Sequence, residues 1–339
     1  MLKHFPPIVM PMMLLFQRGS ALLALRGGLL HRSTAYSSFN FSMSSLTGAN
    51  TRSRSSTRTL IDVDCNLLHA DLISVIPDNK DPLAILKHSS TVDAGIVGVL
   101  SPSSTLEESE KSVQLCSRLQ NEDDVQIEVL TTVGVHPYHA AELPVTEQRL
   151  SHLEELALSG SAVVCIGECG LDYSEGFPDS LNQLEWFNAQ LDLAVKLEKP
   201  LFLHERLAFE DFIGSLEKAT NRNNVAELPP AVVHCFTGTR REAIEYIDRG
   251  FYIGITGFIL KDTEGAEEVK TLLRDGLIPI EKIMIETDAP YLGFANSRDS
   301  FLEGEKERFT SLNSKKRKKL LKSTYPNGKK SSPSCHCNS

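Results

Sequence analysis

The sequence predicts a TIM barrel, in which eight parallel strands alternate with helices and form a closed ring. Short apolar segments recur about every 30 residues from Leu60 onward, and stretches with helical periodicity and polar faces separate them. Eight such units fit into about 250 residues, the usual length of this fold. Histidine and acidic residues follow several of the apolar segments closely. In a TIM barrel these positions lie at the carboxyl-terminal mouth, where active sites occur.

The predicted strands are short apolar runs, and each is separated from the next by a segment with helical character. This alternation predicts repeated strand-helix units and therefore a parallel sheet. In chain order the runs are residues 60–67, 95–100, 127–135, 162–167, 200–203, 231–233, 251–255 and 282–285.

Three of the intervening helices have clear sequence signals. Residues 105–120 form the first, and Thr105 with Glu108 is expected to form a capping box at its start. Residues 180–197 form the second. The third, residues 239–249, is expected to end before Gly250, because glycine commonly follows the last helical turn.

Charge divides the chain into three blocks. The net charge of −9 combines residues 1–61 (+7), residues 62–290 (−23) and residues 291–339 (+7). We predict a leader over residues 1–59, a barrel over residues 60–327 and a divergent tail over residues 328–339. Hydrophobic and charged contents of 41% and 23% exclude a wholly disordered chain, a collagen-like repeat and a coiled coil. No run of about 18 apolar residues predicts a spanning helix, so no membrane association is expected.

The leader is rich in Ser and Arg and has no acidic residue, which is the composition of an organellar transit peptide. The alternatives are a secretory signal, a disordered extension and a start further along the chain at Met43. The seven cysteines, an odd number mostly within apolar segments, favour a reducing compartment over a secreted, disulfide-bonded protein. We predict a mitochondrial or plastid location, with cytoplasm or nucleus as the alternative.

Five residues of metal-ligand type lie at or within three residues of predicted strand ends: His136, Glu168, His204, His234 and Asp288. One such residue is commonly structural, but five at five strand ends predict an active site at the barrel mouth. With further carboxylates at Asp62 and Asp64, they form a mixed nitrogen and oxygen set. This set suits one or two divalent ions, with Mg favoured and Mn or Zn also compatible. A pair of such ions can hydrolyse a phosphodiester with metal-activated water.

Five motifs occur along the chain in order: Gly-Val-His-Pro (134–137), Ile-Gly-Glu-Cys-Gly-Leu-Asp-Tyr (166–173), His-Glu-Arg (204–206), His-Cys-Phe-Thr-Gly (234–238) and Glu-Thr-Asp-Ala-Pro-Tyr-Leu (286–292). Together they resemble the motifs of the TatD-type metal-dependent deoxyribonucleases, which belong to the amidohydrolase-like TIM barrels. The resemblance covers residues 60–327 and implies a metal-dependent deoxyribonuclease with 3′→5′ exonuclease activity. DNA, as single strands or 3′ ends, is then the expected substrate and partner.

The resemblance implies a role for each ligand-type residue by its motif position. Glu168 is expected to bridge or share the metal ions, and His204 and His234 are expected to hold one of them. Asp288 is expected to bind metal or water and to act as general base, since a carboxylate beside an activated water can take its proton. Glu168 and Asp288 are therefore the predicted catalytic residues.

The resemblance also implies substrate contacts and reveals a departure in the first strand. His136 and Arg206 are expected to bind phosphate, for which Arg offers a planar fork, and Asn66 is a further substrate-binding candidate. Barrels of this superfamily often begin with an Asp-x-His-x-His run, whereas this chain has Asp62, Asp64 and Asn66 without either histidine. Asp64 stands where glycine is common, and is either an oxygen ligand that favours Mg or a simple strand-end charge. We expect a second ion to bind weakly.

The carboxyl terminus departs from the family pattern, because residues 328–339 lack the apolar stripe of a covering helix. The sequence therefore predicts a barrel with an incomplete or missing terminal helix. The basic run 315–319 is a solvated helix face, a contact to the DNA backbone or a nuclear address. Two alternatives to the nuclease remain: a metal-dependent ester or amide hydrolase, such as an aminoacyl-tRNA deacylase, and a weakly active or inactive isoform that acts as a binding protein.

Overall fold

The computed structural model describes residues 59–73, 81–87, 95–119, 122, 125 and 127–291. Eight strands in this part of the chain form one parallel sheet, and their order in the sheet is their order along the chain. The strands are β1 (Leu60–Asp62), β2 (Ile96–Ser101), β3 (Glu128–Val133), β4 (Val163–Asp172), β5 (Leu201–Arg206), β6 (Ala231–Val233), β7 (Tyr252–Ile255) and β8 (Ile283–Ile285). The predicted number and order of the strands are confirmed.

Helices connect the successive strands. They are α1 (Ala70–Ile73), α2 (Leu83–Leu86), α3 (Leu106–Leu119), α4 (Glu147–Leu158), α5 (Ser180–Leu197), α6 (Phe209–Asn223), α7 (Arg240–Asp248) and α8 (Glu264–Arg274). Short 3-10 turns occur at Pro137–His139, Gly257–Leu260 and Ile280–Lys282. This alternation confirms the predicted TIM barrel, since parallel neighbours need a crossover between them.

The barrel is nearly closed where the first and last strands meet. β1 stops at Asp62, before its predicted end at residue 67, because the chain then turns towards the end of β8. The backbone N–H of Val63 donates to the carbonyl of Ile285 at 3.1 Å, and that of Asp288 donates to the carbonyl of Asp64 at 2.8 Å. These bonds join the two strand ends at the mouth, so residues more than 220 positions apart become neighbours there.

Two predicted strands end too early. β4 continues past Glu168 to Asp172, and β5 continues past His204 to Arg206. The two strands stay paired over this polar extension, where Asp172 aligns with Arg206. Glu168 and His204 therefore lie within strands and do not follow them, so the sheet itself fixes the direction of both side chains.

Two helix starts show how local sequence sets the connections. At α3, Thr105 Oγ1 accepts from the N–H of Glu108 at 3.1 Å, as predicted, but the Glu108 carboxylate accepts from the N–H of Ser104 at 2.9 Å. The predicted reciprocal half of this capping box is therefore wrong, because the carboxylate reaches one residue further back. A complete capping box is present at α7, between Thr239 and Glu242.

Two apolar layers support the mouth. One fills the inside of the barrel with Val63, Leu100, Val164, Phe202 and Met284, and the other fills the space between strands and helices with side chains such as Trp186, Phe187 and Phe212. Full burial of one such side chain stabilises the fold by about 1.5–3 kcal/mol. The ring of Phe202 lies 5.0 Å from the ring of His234, so the inner layer is also the floor of the site above it.

Several predictions concern residues outside the described part of the chain. These are the leader with its targeting role, the basic run 315–319, the divergent tail and the terminal helix, so all of them stay predictions. Among the residues that the structure describes, no helix combines the length and the apolar character needed to cross a membrane. Cys65, Cys116, Cys165 and Cys169 are buried thiols, as their apolar sequence context predicts.

Candidate metal centre

The five predicted ligand-type residues lie at the mouth of the barrel. Each comes from a different part of the sheet: after β3, within β4, within β5, after β6 and after β8, for His136, Glu168, His204, His234 and Asp288 respectively. Arg206 is the last residue of β5 and is half-buried. The strand ends of a closed barrel converge, so residues spread over about 150 positions share one site.

Glu168 is the centre of this site. Its Oε1 atom lies 2.7 Å from His234 Nε2, 3.1 Å from His204 Nδ1 and 3.3 Å from His136 Nε2. His204 Nδ1 is also 3.0 Å from His234 Nε2. Two imidazole nitrogens at this distance need a proton or a cation between them, because two lone pairs facing one another repel.

His136 differs from the other two histidines in its hydrogen bonding. Its Nδ1 accepts from the backbone N–H of Tyr138 at 3.1 Å, so the ring proton of the neutral imidazole must sit on Nε2. That Nε2 atom faces Glu168. Burial lowers the pKa of His136 despite the neighbouring Glu168. His136 is therefore a neutral hydrogen-bond donor in this arrangement, although its position would also allow it to join a ligand set with Glu168 and His204.

Asp172 holds His204 in place from the side away from Glu168. Its Oδ2 atom lies 3.0 Å from His204 Nε2, and its Oδ1 accepts from the N–H of Ser174 at 2.8 Å. A carboxylate on one imidazole nitrogen fixes the ring and leaves the other nitrogen directed at the site. No role for Asp172 was predicted from the sequence, although it lies four residues after Glu168 in the same motif.

A second group of ligand atoms lies behind His234. Asp64, His234 and Glu286 each place one donor atom within 4.8 Å of the others, and all three residues are buried. Asp64 Oδ2 and His234 Nδ1 are 2.9 Å apart. Glu286 Oε2 is buried without a hydrogen bond to any described residue. Glu286 was not predicted as a site residue, and its available signal was its position two residues before Asp288, just after β8.

A glycine makes room for Glu286. A Cβ atom at Gly254 on β7 would lie 2.6 Å from Glu286 Oε2, which is closer than real Cβ contacts come. The backbone N–H of Cys235 also donates to Glu286 Oε1. One oxygen of Glu286 is thus satisfied by the main chain, and the other is directed towards Asp64 and His234.

Burial disfavours the ionised form of the carboxylates in the second group and of the nearby Asp288. Burial raises the pKa of Asp64, and nearby Glu168 adds to the effect. Burial likewise raises the pKa of Glu286 to about 8 and that of Asp288 well above its usual value, with Asp64 contributing to both. Such a group is stabilised either by protons or by a bound cation.

The opposite balance holds around Glu168. Burial alone would raise its pKa, but electrostatic interactions with His136 and His234 and the hydrogen bonds from His136 and His204 outweigh burial and lower the pKa well below its usual value. Burial alone would lower the pKa of His204 and His234, but Asp172 and Glu168 raise the first and Glu168 and Asp64 raise the second. Glu168 is therefore an ionised carboxylate surrounded by imidazole nitrogens.

Asp62 and Asn66 connect the two ends of the barrel. Asp62 accepts from Thr287, at 2.9 Å from the backbone N–H and 2.7 Å from Oγ1. Asn66 Nδ2 donates to Asp64 Oδ1 at 3.2 Å and to the carbonyl of Ala289 at 3.1 Å. Asp62 lies outside both ligand groups, and its predicted metal role stays a prediction. The bond from Asn66 leaves Asp64 Oδ2 as the oxygen that faces His234.

Backbone conformation also marks the mouth. Cys235, directly after His234, has φ of +47°, and Asp288 has φ of +48°. These are left-handed conformations that cost free energy for residues with a side chain, and they concentrate at functional sites. At Asp288 the backbone is held by a hydrogen bond to Asp64 and by one from the N–H of Tyr291 at 2.7 Å.

The donor set fits a divalent metal. The first group consists of Glu168, His204 and His234. It offers two imidazole nitrogens and one ionised carboxylate, which is a common arrangement for Zn and Mn. The second offers mainly carboxylate oxygen, which Mg and Mn prefer. Glu286 Oε2, buried without a hydrogen bond to any described residue, is the strongest observation for a cation, since buried polar atoms are otherwise nearly always paired.

Comparison with known proteins agrees with this geometry. The model of the TatD related DNase family matches residues 61–322. A Citrobacter koseri protein named 3′-5′ ssDNA/RNA exonuclease TatD is 41% identical over 236 residues, which are 69% of this chain and 80% of that protein. The Escherichia coli K12 protein of the same name is 40% identical over 200 residues, 59% of this chain and 70% of that protein.

A solved structure supports the same assignment. The crystal structure of a TatD family hydrolase from Entamoeba histolytica has a TM-score of 0.59 and 29% identity, over 70% of this chain and 76% of that one. The family model covers most of the chain. The chain therefore belongs to the TatD related DNase family.

Proposed function

We propose that this protein is a divalent-metal-dependent 3′→5′ exonuclease that hydrolyses phosphodiester bonds in single-stranded nucleic acid. The observation that carries the proposal is the convergence of three imidazole nitrogens on Glu168 Oε1 at the mouth of a TatD-family barrel. The relatives named as exonucleases of single-stranded DNA and RNA support the substrate class and the direction of cleavage.

Two positions would hold metal ions. Glu168, His204 Nδ1 and His234 Nε2 would hold the first, and Asp64, Glu286 and Asp288 would hold the second. His234 serves the first position only, because a neutral imidazole has one lone pair available and its other nitrogen must carry the proton. That proton would be on Nδ1, which lies 2.9 Å from Asp64 Oδ2. A bound divalent ion supplies Lewis acidity, which polarises the phosphate and favours deprotonation of the attacking water.

Side chains of the protein supply the other functions. Asp288 would act as general base, since its carboxylate lies at the mouth beside the second metal position and can take the proton of the attacking water. His136 donates from Nε2 to a phosphate oxygen beside Glu168, and Arg206 at the end of β5 binds the phosphate through its planar guanidinium. Asp288 would thus remove the proton from the attacking water, while His136 and Arg206 would neutralise the negative charge of the phosphate.

The test uses purified full-length protein and 5′-labelled single-stranded DNA. We expect stepwise shortening from the 3′ end in Mg²⁺ or Mn²⁺, abolished by EDTA. His204→Ala removes a metal ligand and should lower kcat/KM by at least about 100-fold. His152→Ala, which replaces a histidine on α4 outside the site, is the matched control and should retain activity. Metal binding by a folded protein without any DNA or RNA cleavage would refute the proposal, and cleavage of an aminoacyl ester instead would favour the ester hydrolase alternative.

A further inference from the structure

Two aromatic side chains lie beside the metal centre. Tyr138 follows His136 by two residues, within the turn Pro137–His139, and 51% of its surface is exposed. The ring of Phe177, in the loop after β4, lies 5.4 Å from the Tyr138 ring at an angle of 82° and 6.1 Å from the His136 ring. We call Tyr138 and Phe177 the aromatic rim. The Tyr138 ring contacts the Phe177 ring, and the Phe177 ring in turn lies next to the His136 ring.

The aromatic rim has a fixed position relative to Glu168. The hydrogen bond from the N–H of Tyr138 to His136 Nδ1 holds the turn, and the same histidine faces Glu168 through Nε2. The ring of His139 packs edge-on against Tyr138 at 5.1 Å. The backbone N–H that fixes the tautomer of His136 therefore also anchors the turn that bears Tyr138.

The negative net charge of the barrel indicates that nucleic-acid binding needs a contribution other than ion pairing. Residues 62–290 have a net charge of −23, so the barrel as a whole repels a polyanion except where metals and basic side chains neutralise it. Stacking of a base on an aromatic ring contributes affinity whatever the base, and it does not depend on net charge. Tyr138, exposed and bonded through its backbone to His136, is positioned for such a contact with a nucleotide held at the site.

We propose that the aromatic rim stacks the unpaired base of the nucleotide whose phosphate lies at Glu168, with Tyr138 as the contact surface and Phe177 supporting it. This inference rests on the proposed function, because it assumes that a phosphodiester is held at Glu168. A base in a duplex is stacked and paired with its own neighbours, so it reaches Tyr138 only after it is unpaired. The rim thereby selects single-stranded ends of DNA or RNA.

The first test compares KM and kcat on single-stranded oligonucleotides. Tyr138→Ala should raise KM about 5- to 100-fold and leave kcat within a few-fold, whereas Tyr138→Phe, which keeps the ring, should behave like the wild type. Ile280→Ala is the matched control, since it removes an 84% exposed apolar side chain at the opposite end of the barrel. The DNA and RNA substrates should respond alike, because both present a base to the ring.

A second substrate distinguishes stacking from a general disturbance of the site. We compare an intact oligonucleotide with one whose 3′-terminal nucleotide lacks its base. The wild type should cleave the abasic substrate less well than the intact one, whereas Tyr138→Ala should cleave the two equally well. If Tyr138→Ala loses as much on the abasic substrate as on the intact one, Tyr138 does not contact the base. An unchanged KM for Tyr138→Ala on the intact substrate would also overturn the proposal.

A binding measurement keeps this inference separate from the nuclease proposal. Fluorescence anisotropy with labelled oligothymidylate in EDTA needs no catalysis, and Tyr138→Ala should weaken binding by a similar factor with an unchanged slope against salt concentration. If the wild type shows no cleavage and Tyr138→Ala still binds more weakly, the nuclease proposal is refuted and the stacking proposal is supported. If the wild type cleaves DNA and affinity is unaltered in Tyr138→Ala, the rim fails and the nuclease proposal stands.

Discussion

His204 Nε2 lies 3.0 Å from Asp172 Oδ2, and this contact determines which nitrogen of His204 faces Glu168. His234 has a matching arrangement, with Asp64 Oδ2 at 2.9 Å from its Nδ1. Each imidazole of the first metal position thus has a buried carboxylate behind it. Such pairs fix the tautomer and raise the basicity of the ligating nitrogen.

Asp172→Asn should weaken metal binding without disturbing the fold. The amide can keep the oxygen that accepts from Ser174 but places an NH₂ donor against His204 Nε2. His204 would then carry its proton on Nδ1, where the lone pair is needed. We expect metal affinity to fall about 10- to 100-fold, measured by calorimetric titration. Asp192→Asn, in a surface pair with Arg222, is the control and should leave metal affinity unchanged; equal affinity in both variants would rule out the role of Asp172.

Metal removal should lower thermal stability through the same site. A ligand that binds only the folded state at a concentration of 100 Kd adds about 2.7 kcal/mol to the free energy of unfolding. For a barrel of this size that corresponds to a rise in Tm of about 5–10 °C. We expect this rise on adding Mn²⁺ to EDTA-treated protein in differential scanning fluorimetry. A rise of the same size in His204→Ala would show that the ion binds elsewhere.

Gly254→Ala should displace Glu286. The new Cβ would sit 2.6 Å from Glu286 Oε2, and such overpacking typically costs about 1–3 kcal/mol of unfolding free energy. Gly214→Ala is a matched control in the middle of α6, where the new Cβ meets nothing within 4 Å. There the substitution should stabilise the protein by about 1 kcal/mol. Urea unfolding measures both, and a neutral Gly254→Ala would show that Glu286 has space to move.

The buried thiols should resist alkylation in the folded protein. Burial raises the pKa of Cys116 and Cys165 to about 12 and raises those of Cys65 and Cys169 as well. At pH 8 these groups remain neutral thiols, and the thiolate is the reactive form. Iodoacetamide followed by mass spectrometry should label them much more slowly than the half-buried Cys235. Labelling at equal rates without denaturant would contradict this burial, while unfolded protein should label uniformly.

Much of the fold could be predicted because its signals are local. Apolar runs and helical periodicity depend on neighbouring residues, so eight strands were identifiable, and the predicted helix over residues 180–197 matches α5. Strand ends were less accurate. Glu168 and His204 are polar, which suggests a loop, but they continue their strands because their side chains point into a mouth where charges are paired.

The candidate site was partly predictable for a related reason. His136, Glu168, His204, His234 and Asp288 stand at recognisable positions in motifs, and the structure brings all five to one mouth. Asp172 and Glu286 were missed, since an acidic residue inside a motif gives no sign of which partner it faces. Asp172 contacts His204, which lies 32 positions away along the chain, and Glu286 lies next to Asp64, which is 222 positions away.

The sequence by itself determined the order of strands and helices, the type of residue at each strand end and the family. Only the tertiary structure decided which nitrogen of each histidine faces Glu168, which oxygen of Asp64 is left for His234, and that Glu286 joins them. The physical reason is the separation along the chain over which each interaction acts. Periodicity and capping act between residues a few positions apart, whereas these contacts depend on the closure between β1 and β8 and on the register of β4 with β5. Small shifts in either would separate side chains that must lie about 3 Å apart to share a proton or an ion.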